Sequence, residues 1–514
     1  MITPSPPDIH DKIKPLGELV DEVARLKSTG SRVVHSHGLF DLVHPGHVRH
    51  LAAAKCAGDI LAVTLVPDRD VVKGPHRLAF SEQLRAESLA ALQYVDFVAI
   101  GESASAAAVI RQLKPNIYVE GHDAAAHAAS TFDAAAEVEA AVHAVGGHVQ
   151  RTNEIQFSSS ELLNSFLPVY PPHVHEYLRG LRRRYTLDDL VKMVDSLKNL
   201  RVMVVGEAIL DEYVYGDVLG KSSKEPILAM RYASQETHAG GSVVIANHLA
   251  QFCDSVQLVT YLGDTDSQED FIREHLQPNV EPTFVLKPNS PTIVKRRFVE
   301  NYQVTKLLEV YEMNDAPLPA ETDRLLLGQL AEQLPACDAV VAADYGHGLI
   351  TPATVEFLDR QAPFLSVNTQ INAANNGFHT LSKYPRADYV CVHEGEIRLD
   401  QRDQETDIRD LVERVANRMT AQTLMVTRGK YGTLIYSPEQ GFVESPGLAV
   451  KVVDRVGAGD SVLAISSLCA AQSLPLDVTG FLANMVGAQA VTIVGNRTSI
   501  SRDQLIPSIE SVLK

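Results

Sequence analysis

Cysteine is scarce in this chain: five residues, Cys56, Cys253, Cys337, Cys391 and Cys469, are scattered over 514 positions, and none forms a CxxC pair. An odd, dispersed set argues against a disulfide framework and fits a reducing compartment. Long apolar runs are missing too, and nothing approaches the roughly 20 residues that span a bilayer. The opening stretch MITPSPPDIHDKIKPLGEL has no apolar signal-peptide core. The expected location is the cytoplasm. Positive charge is in short supply, with 46 Lys and Arg against 64 Asp and Glu and a formal net charge of −18. That balance excludes nucleic acid and an anionic membrane surface as partners, since both require a basic footprint. Any phosphate site must then be local, built from glycine turns, helix N-termini and a few placed cations. There is no HExxH, no Walker P-loop, no internal repeat and no low-complexity segment.

What is present is ordinary soluble material, 45% hydrophobic and 21% charged, long enough for two or three domains. After a Pro-rich start and one amphipathic helix, Leu16 to Leu26, short β-branched runs alternate with helical stretches. RVVHSHG, DILAVTLVP, VDFVAIG, NIYVEG and GHVQRT read as strands, with GHVRHLAAAKCA and SEQLRAESLAAL as helices between them. This alternation predicts α/β architecture with a parallel, doubly wound sheet. Prolines at 168, 171 and 172 mark a break, and the arginines from Arg179 to Arg184 read as a solvated linker face. Thr186 fits an N-cap for LDDLVKMVDSLKNL, with Asp189 near its positive end. A second βα region opens at RVMVVGEAILD and includes QLVTYLGD, DAVVAADYG, FLSVNTQ, DYVCVHE and TLMVTRG. The expected division is an extension over 1–30, a first α/β domain over 31–165, a linker over 166–198 and a second α/β domain over 199–514.

Two motifs carry chemistry. In GLFDLVHPGHVRHL a buried strand turns into a helix at His44-Pro45-Gly46-His47. A helix N-terminus can hold phosphate, Gly46 leaves room for it, and imidazoles at i and i+3 can donate to a reacting α-phosphate. A metal site or plain helix-start histidines remain alternatives. In DRVGAGDSVLAISSL, Gly457-Ala458-Gly459 permits a tight turn whose N–H groups converge on a phosphoryl group. Asp460, at the helix start, can take a proton from an attacking hydroxyl or serve only as an N-cap.

VVHSHGLFDLVHPGHVRHL, VPDRDVVKGPHRLAF and EQLRAESLAAL resemble the cytidylyltransferase-like nucleotidyltransferases over roughly residues 30–165. The resemblance implies a triphosphate held by His44 and His47, with Gly38 and Phe40 lining the nucleotide site. It implies cations at Lys73 and Arg85, and nucleotide contacts from Ser158, Ser159 and Ser160. His37 stands where relatives usually carry Asn. VMVVGEAILDEY, the Gly240-Gly241 pair, YLGDTDSQEDFI, VTRGKYGTLIY and GAGD resemble the ribokinase-like (PfkB) sugar kinases over about 199–514. That resemblance implies a β lid over Glu212 to Glu236 and a sugar pocket with Asp211, Gly240, Gly241, Arg297 and Asp344. It places Thr427, Arg428, Gly429 and Asn484 near ATP, and makes Glu396 a candidate Mg²⁺ ligand. Together the halves resemble the bifunctional heptose-phosphate kinase/heptose 1-phosphate adenylyltransferases with domain order reversed. His347, Asn368-Thr369-Gln370 and His393-Glu394-Gly395-Glu396 depart from their pattern. The function so implied is ATP-dependent phosphorylation of a sugar or sugar phosphate, with nucleotidyl transfer from CTP or ATP to a sugar 1-phosphate. Mg²⁺ is the expected cofactor, and a homodimer or higher homo-oligomer through the lid the expected assembly. The alternatives are a kinase-like half that only binds sugar or dimerises, or a transferase acting on a polyol or other non-sugar phosphate.

Overall fold

A computed structural model describes residues 9–71, 80–120, 132–152, 170–302, 305–375 and 377–513, which divide into two compact units near residue 170. The first unit holds five strands: β1 (Val33–Gly38), β2 (Ile60–Leu65), β3 (Phe97–Ile100), β4 (Ile117–Glu120) and β5 (His148–Arg151). They pair in parallel in the order β3-β2-β1-β4-β5. Alternation along β1 sorts its side chains to two faces. Val34 packs with Leu51 and Ala54 of the helix Pro45–Cys56, while Val33 packs with Leu19, Val23, Ala62 and Val109. The helix Leu16–Ser28 therefore belongs to this core and is no separate extension, because Leu16, Leu19 and Val23 bury one of its faces. Strand order reverses between β1 and β4, the place where open α/β sheets bind ligands beyond their carboxyl ends.

Of the expected linker over 166–198, residues 166–169 lie outside the described residues, and the rest is helical. Pro172–Arg184 and Leu187–Ser196 are helices packed through Val174, Leu178, Leu181, Leu190 and Val194 into the second unit's core. Pro171 and Pro172 do not break this structure, since Pro171 is the N-cap and Pro172 opens the helix, where a missing N–H has no intrahelical partner to lose. Its basic end also has partners: Arg182 donates to the Val512 carbonyl and Arg184 pairs with Asp477 at 2.5 Å. Thr186 caps the next helix in a reciprocal box with Asp189.

The second unit is built on nine strands: β6 (Arg201–Gly206), β9 (Ser255–Gly263), β10 (Val280–Lys287), β13 (Ala339–Asp344), β14 (Leu365–Thr369), β15 (Tyr389–His393), β16 (Thr423–Thr427), β17 (Thr433–Ser437) and β18 (Gly441–Ser445). Their order is β10-β9-β6-β13-β14-β15-β16-β17-β18, parallel as far as β16 and antiparallel beyond it. Apolar runs such as VVAA in β13 are buried on both faces, as helix-covered parallel strands must be. A second sheet, β12-β11-β7-β8, is formed by β7 (Ala208–Lys221), β8 (Leu228–Gly241), β11 (Ile293–Glu300) and β12 (Thr305–Glu312).

Candidate active sites

In the first unit, β1 delivers the chain to a left-handed turn at Phe40 (φ +49°) and then to the helix Pro45–Cys56. His44 is that helix's N-cap, and its Nδ1 accepts the Gly46 N–H at 3.1 Å. That nitrogen must be bare, so the proton of neutral His44 sits on Nε2. His47 Nδ1 lies 3.0 Å from the Leu42 carbonyl oxygen, which can only accept, so here Nδ1 carries the proton. The rings lie 3.9 Å apart at 31°, and Phe40 meets His47 edge-on at 5.1 Å. Neutral His44 can thus donate through Nε2, whereas His47 donates through Nε2 only as the imidazolium.

Arg85, expected as a phosphate cation, is fully buried and committed elsewhere. It donates to the Leu39 carbonyl at 2.5 Å, the Val66 carbonyl at 3.0 Å and Asp68 at 2.5 Å. Its guanidinium clamps the loops after β1 and β2 and so fixes where Gly38 and Phe40 sit. Gly38 itself leaves room for the Phe40 ring, which a Cβ there would meet at 3.0 Å. His37 Nε2 lies 3.3 Å from the Ala104 carbonyl, so its Nδ1 accepts from the Thr64 hydroxyl at 2.8 Å, and Thr64 in turn accepts from His35 Nε2 at 2.8 Å. Burial lowers the His37 pKa to about 4 and that of His35 well below the usual range, so both are neutral at pH 7. Lys73, Ser158, Ser159 and Ser160 lie outside the described residues.

In the second unit the parallel strands end on one side, and there the helix Ala458–Ala471 begins. Gly457 is left-handed (φ +78°), and a Cβ on it would fall 1.8 Å from Asn496 Oδ1, so only glycine fits this turn. Ala458 and Gly459 open the helix with Asp460 in its first turn. The Tyr345 hydroxyl donates to Asp460 Oδ1 at 2.8 Å. Low-polarity surroundings push the Asp460 carboxyl up to about 6. The second sheet brings Asp211 from β7, whose Oδ1 accepts from Arg297 at 2.5 Å and whose Oδ2 accepts from Asn496 at 3.2 Å. Gly240 is bare because a Cβ there would lie 2.3 Å from Asp211 Oδ2, and Gly241 takes φ +59° against the Glu207 carbonyl. Lys295, two residues before Arg297 and on the same face of β11, is buried between the rings of Tyr311 and Tyr345. Burial lowers its pKa, with Asp211 opposing that effect.

These residues build the pocket, and the motifs gave no signal for Lys295, Tyr345 or Asn496. Three expected contacts are engaged otherwise. Asp344 is buried, accepts from Tyr384 at 2.6 Å and pairs with His379 and Lys383, which hold its carboxyl below the usual range against its burial. The Asn484 amide donates to Thr433 at 2.9 Å and to the Gly480 carbonyl at 2.8 Å, tying its helix to β17. Glu396 spends both oxygens on backbone N–H groups, of His393 at 2.7 Å and Ile371 at 3.1 Å, and burial pushes it up to about 7. Among the described residues no group of three or more His, Cys, Asp or Glu is placed to hold a metal ion. Thr427 ends β16 and Arg428 and Gly429 follow it, at the same sheet end as the GAGD turn, with Arg428 donating to Glu394 at 3.1 Å.

Residues 199–503 match the model of the pfkB family carbohydrate kinases. The chain belongs to this family. Residues 36–165 match the cytidylyltransferase-like model, so a PfkB kinase domain follows a nucleotidyltransferase domain in one chain. Among curated relatives, the bifunctional protein HldE of Koribacter versatilis is 28% identical over 57% of this chain and 60% of its own length. HldE of Granulibacter bethesdensis is 26% identical over 59% and 64%. The chain thus spans less than two thirds of the curated relatives it matches. Phosphofructokinase-2 from Escherichia coli, in complex with potassium, superposes with a TM-score of 0.51 at 17% identity, over 61% of this chain and all of that one. At that identity the likeness concerns the fold. Within the PfkB frame, Gly457 to Asp460 and the Gly240-Gly241 pair lie beside Asp211 and Lys295 although their strands are far apart in sequence. Among the described residues no helix is long and apolar enough to cross a membrane.

Proposed function

We propose that the chain is a bifunctional enzyme of activated-sugar synthesis. Its PfkB domain phosphorylates a sugar or sugar phosphate with ATP. Its nucleotidyltransferase domain joins a sugar 1-phosphate to the nucleotidyl group of CTP or ATP and releases pyrophosphate. The observation that carries the reading is the meeting of Asp460 with Asp211, Lys295 and Arg297 at a glycine turn on a helix start. A module that only bound sugar would have no use for a carboxylate held in such surroundings.

In the kinase step Asp460 takes the proton of a sugar hydroxyl, whose oxygen forms a bond to the γ-phosphorus. The bond from that phosphorus to the β,γ-bridging oxygen breaks, and ADP leaves with the electron pair. Asp211, fixed by Arg297 and Asn496, orients the sugar hydroxyls, and Lys295 supplies positive charge beside the transferring phosphoryl group. In the transferase step the sugar-phosphate oxygen attacks the α-phosphorus and pyrophosphate leaves, with His44 and His47 donating to the charge that develops. Bound Mg²⁺ would neutralise nucleotide phosphates, held mainly by those phosphates and water.

The second sheet also supports self-association. Cross-strand pairing puts Val214, Phe298 and Leu308 on one face, with Val310 beside them, while Asp211, Lys295 and Arg297 occupy the other. Leu308 is 60% exposed, a face suited to a second copy of the chain.

Asp460→Asn keeps the shape of the side chain and removes the base. It is expected to lower phosphorylation by about 10²–10⁴-fold and leave pyrophosphate release intact, while His47→Ala gives the reverse. Loss of both activities in a folded single variant would refute independent sites. A wild-type protein that phosphorylates none of a panel of hexoses, heptoses and their phosphates would refute the kinase assignment.

A further inference from the structure

We propose that Tyr345 is the positioning residue of the kinase base: its hydroxyl fixes one oxygen of Asp460 and leaves the other to the sugar. This rests on the kinase reading above.

Tyr345 follows β13 directly, and its surroundings hold it at every polar atom. Its N–H donates to Glu207 Oε2 at 3.1 Å, and Glu207 Oε1 accepts the N–H groups of His347 and Leu349, also at 3.1 Å. Its carbonyl accepts from Asn372 at 2.7 Å and Asn375 at 3.2 Å. Glu207 is completely buried just beyond β6, so a carboxylate from the sheet interior pins the loop that carries the tyrosine. The ring is 2% exposed and its hydroxyl reaches Asp460 Oδ1 at 2.8 Å. A phenol with its pKa held well above the usual value by burial stays protonated, so it is a permanent donor to the carboxylate.

One oxygen of Asp460 so anchored cannot rotate away, and carboxylate direction decides whether a base meets its proton. The same bond opposes the other influences on this carboxyl. Burial and the charge of Asp211 on β7 disfavour its ionisation, and Lys295 on β11 favours it. Glu396, on the helix Glu394–Gln401, also feels Asp460 as a like charge. Arg297 and Glu309 face the same cluster from β11 and β12 but are paired with each other and with Asp211. The Tyr345 hydroxyl and Lys295 are therefore the two groups that oppose burial at this carboxyl.

The test is Tyr345→Phe, which removes one oxygen and retains the ring. Titration of the Asp460 carboxyl by ¹³C NMR, assigned against Asp460→Asn, is expected to move upward. The turnover number for sugar phosphorylation falls about tenfold, the acid limb of its pH profile moves up, and KM for ATP changes little. Replacing Tyr345 with 3-fluorotyrosine, an equally sized and stronger donor, shifts the titration downward and keeps the fold if Tyr345→Phe does not. An Asp460 titration unmoved in both variants overturns the proposal, as does a turnover loss uniform across pH. A titration that moves in a protein phosphorylating no sugar confirms the pair and refutes the kinase reading instead.

Discussion

Gly457→Ala is the sharpest single test of the GAGD turn, because the structure fixes what the added methyl meets. At φ +78° an alanine carries the left-handed penalty of about 1–2 kcal/mol. Its Cβ would also lie 1.8 Å from Asn496 Oδ1, so Asn496 must swing away. That breaks the Asn496 amide's bond to Asp211, a hydrogen bond to a charged group of about 1.5–3 kcal/mol. The combined perturbation is about 2.5–5 kcal/mol. If half of it reaches the transition state, turnover falls about eightfold to sixtyfold at about 1.4 kcal/mol per decade. ADP release from ATP and a sugar acceptor measures this, and pyrophosphate release by the other domain serves as control. Because alanine has already displaced Asn496, adding Asn496→Ala should cost little more than Gly457→Ala alone. Turnover within threefold of wild type, or full additivity of the two changes, would refute the idea that one glycine holds both the turn and Asp211.

Other outcomes follow from neighbouring features. Arg85→Met removes a buried clamp on two loops and leaves the Leu39 and Val66 carbonyls unpaired, so it should lower the stability of the first unit by about 1–3 kcal/mol in thermal denaturation. A stable variant with only a raised KM for nucleotide would instead make Arg85 a phosphate ligand. Light scattering should give a dimer or larger assembly that Leu308→Asp dissociates, and a wild-type monomer at micromolar concentration would exclude the lid face as an interface.

Much of this architecture is legible in the residues. Short apolar runs mark β1 to β4, and β5, polar and largely exposed, follows the Gly146-Gly147 turn. Thr186 with Asp189 declares a helix start because its side-chain chemistry is local. Over 170–198 helices stand where a linker is expected, because proline breaks a helix interior but suits its first turn. Lys295, Tyr345 and Asn496 carry no motif, since they meet Asp211 and Asp460 only through sheet order, which joins strands distant in sequence. Arg85 shows the converse difficulty. The family resemblance makes it a cation of the nucleotide site, but three nearby oxygens claim it.

The alternation of β11 has a consequence for how this pocket can vary. Lys295 and Arg297 face the site, while Arg296 and Phe298 face the other way. Loss of a single residue ahead of Lys295 would exchange the two sets, turning an apolar ring onto the substrate and a guanidinium toward the outer surface. Substitutions in place can tune recognition one position at a time, but length changes in this strand cannot. New specificity is then free to arise through side-chain exchange at alternate positions, or through loop insertions beyond the strand ends, and the strand itself acts as a fixed ruler.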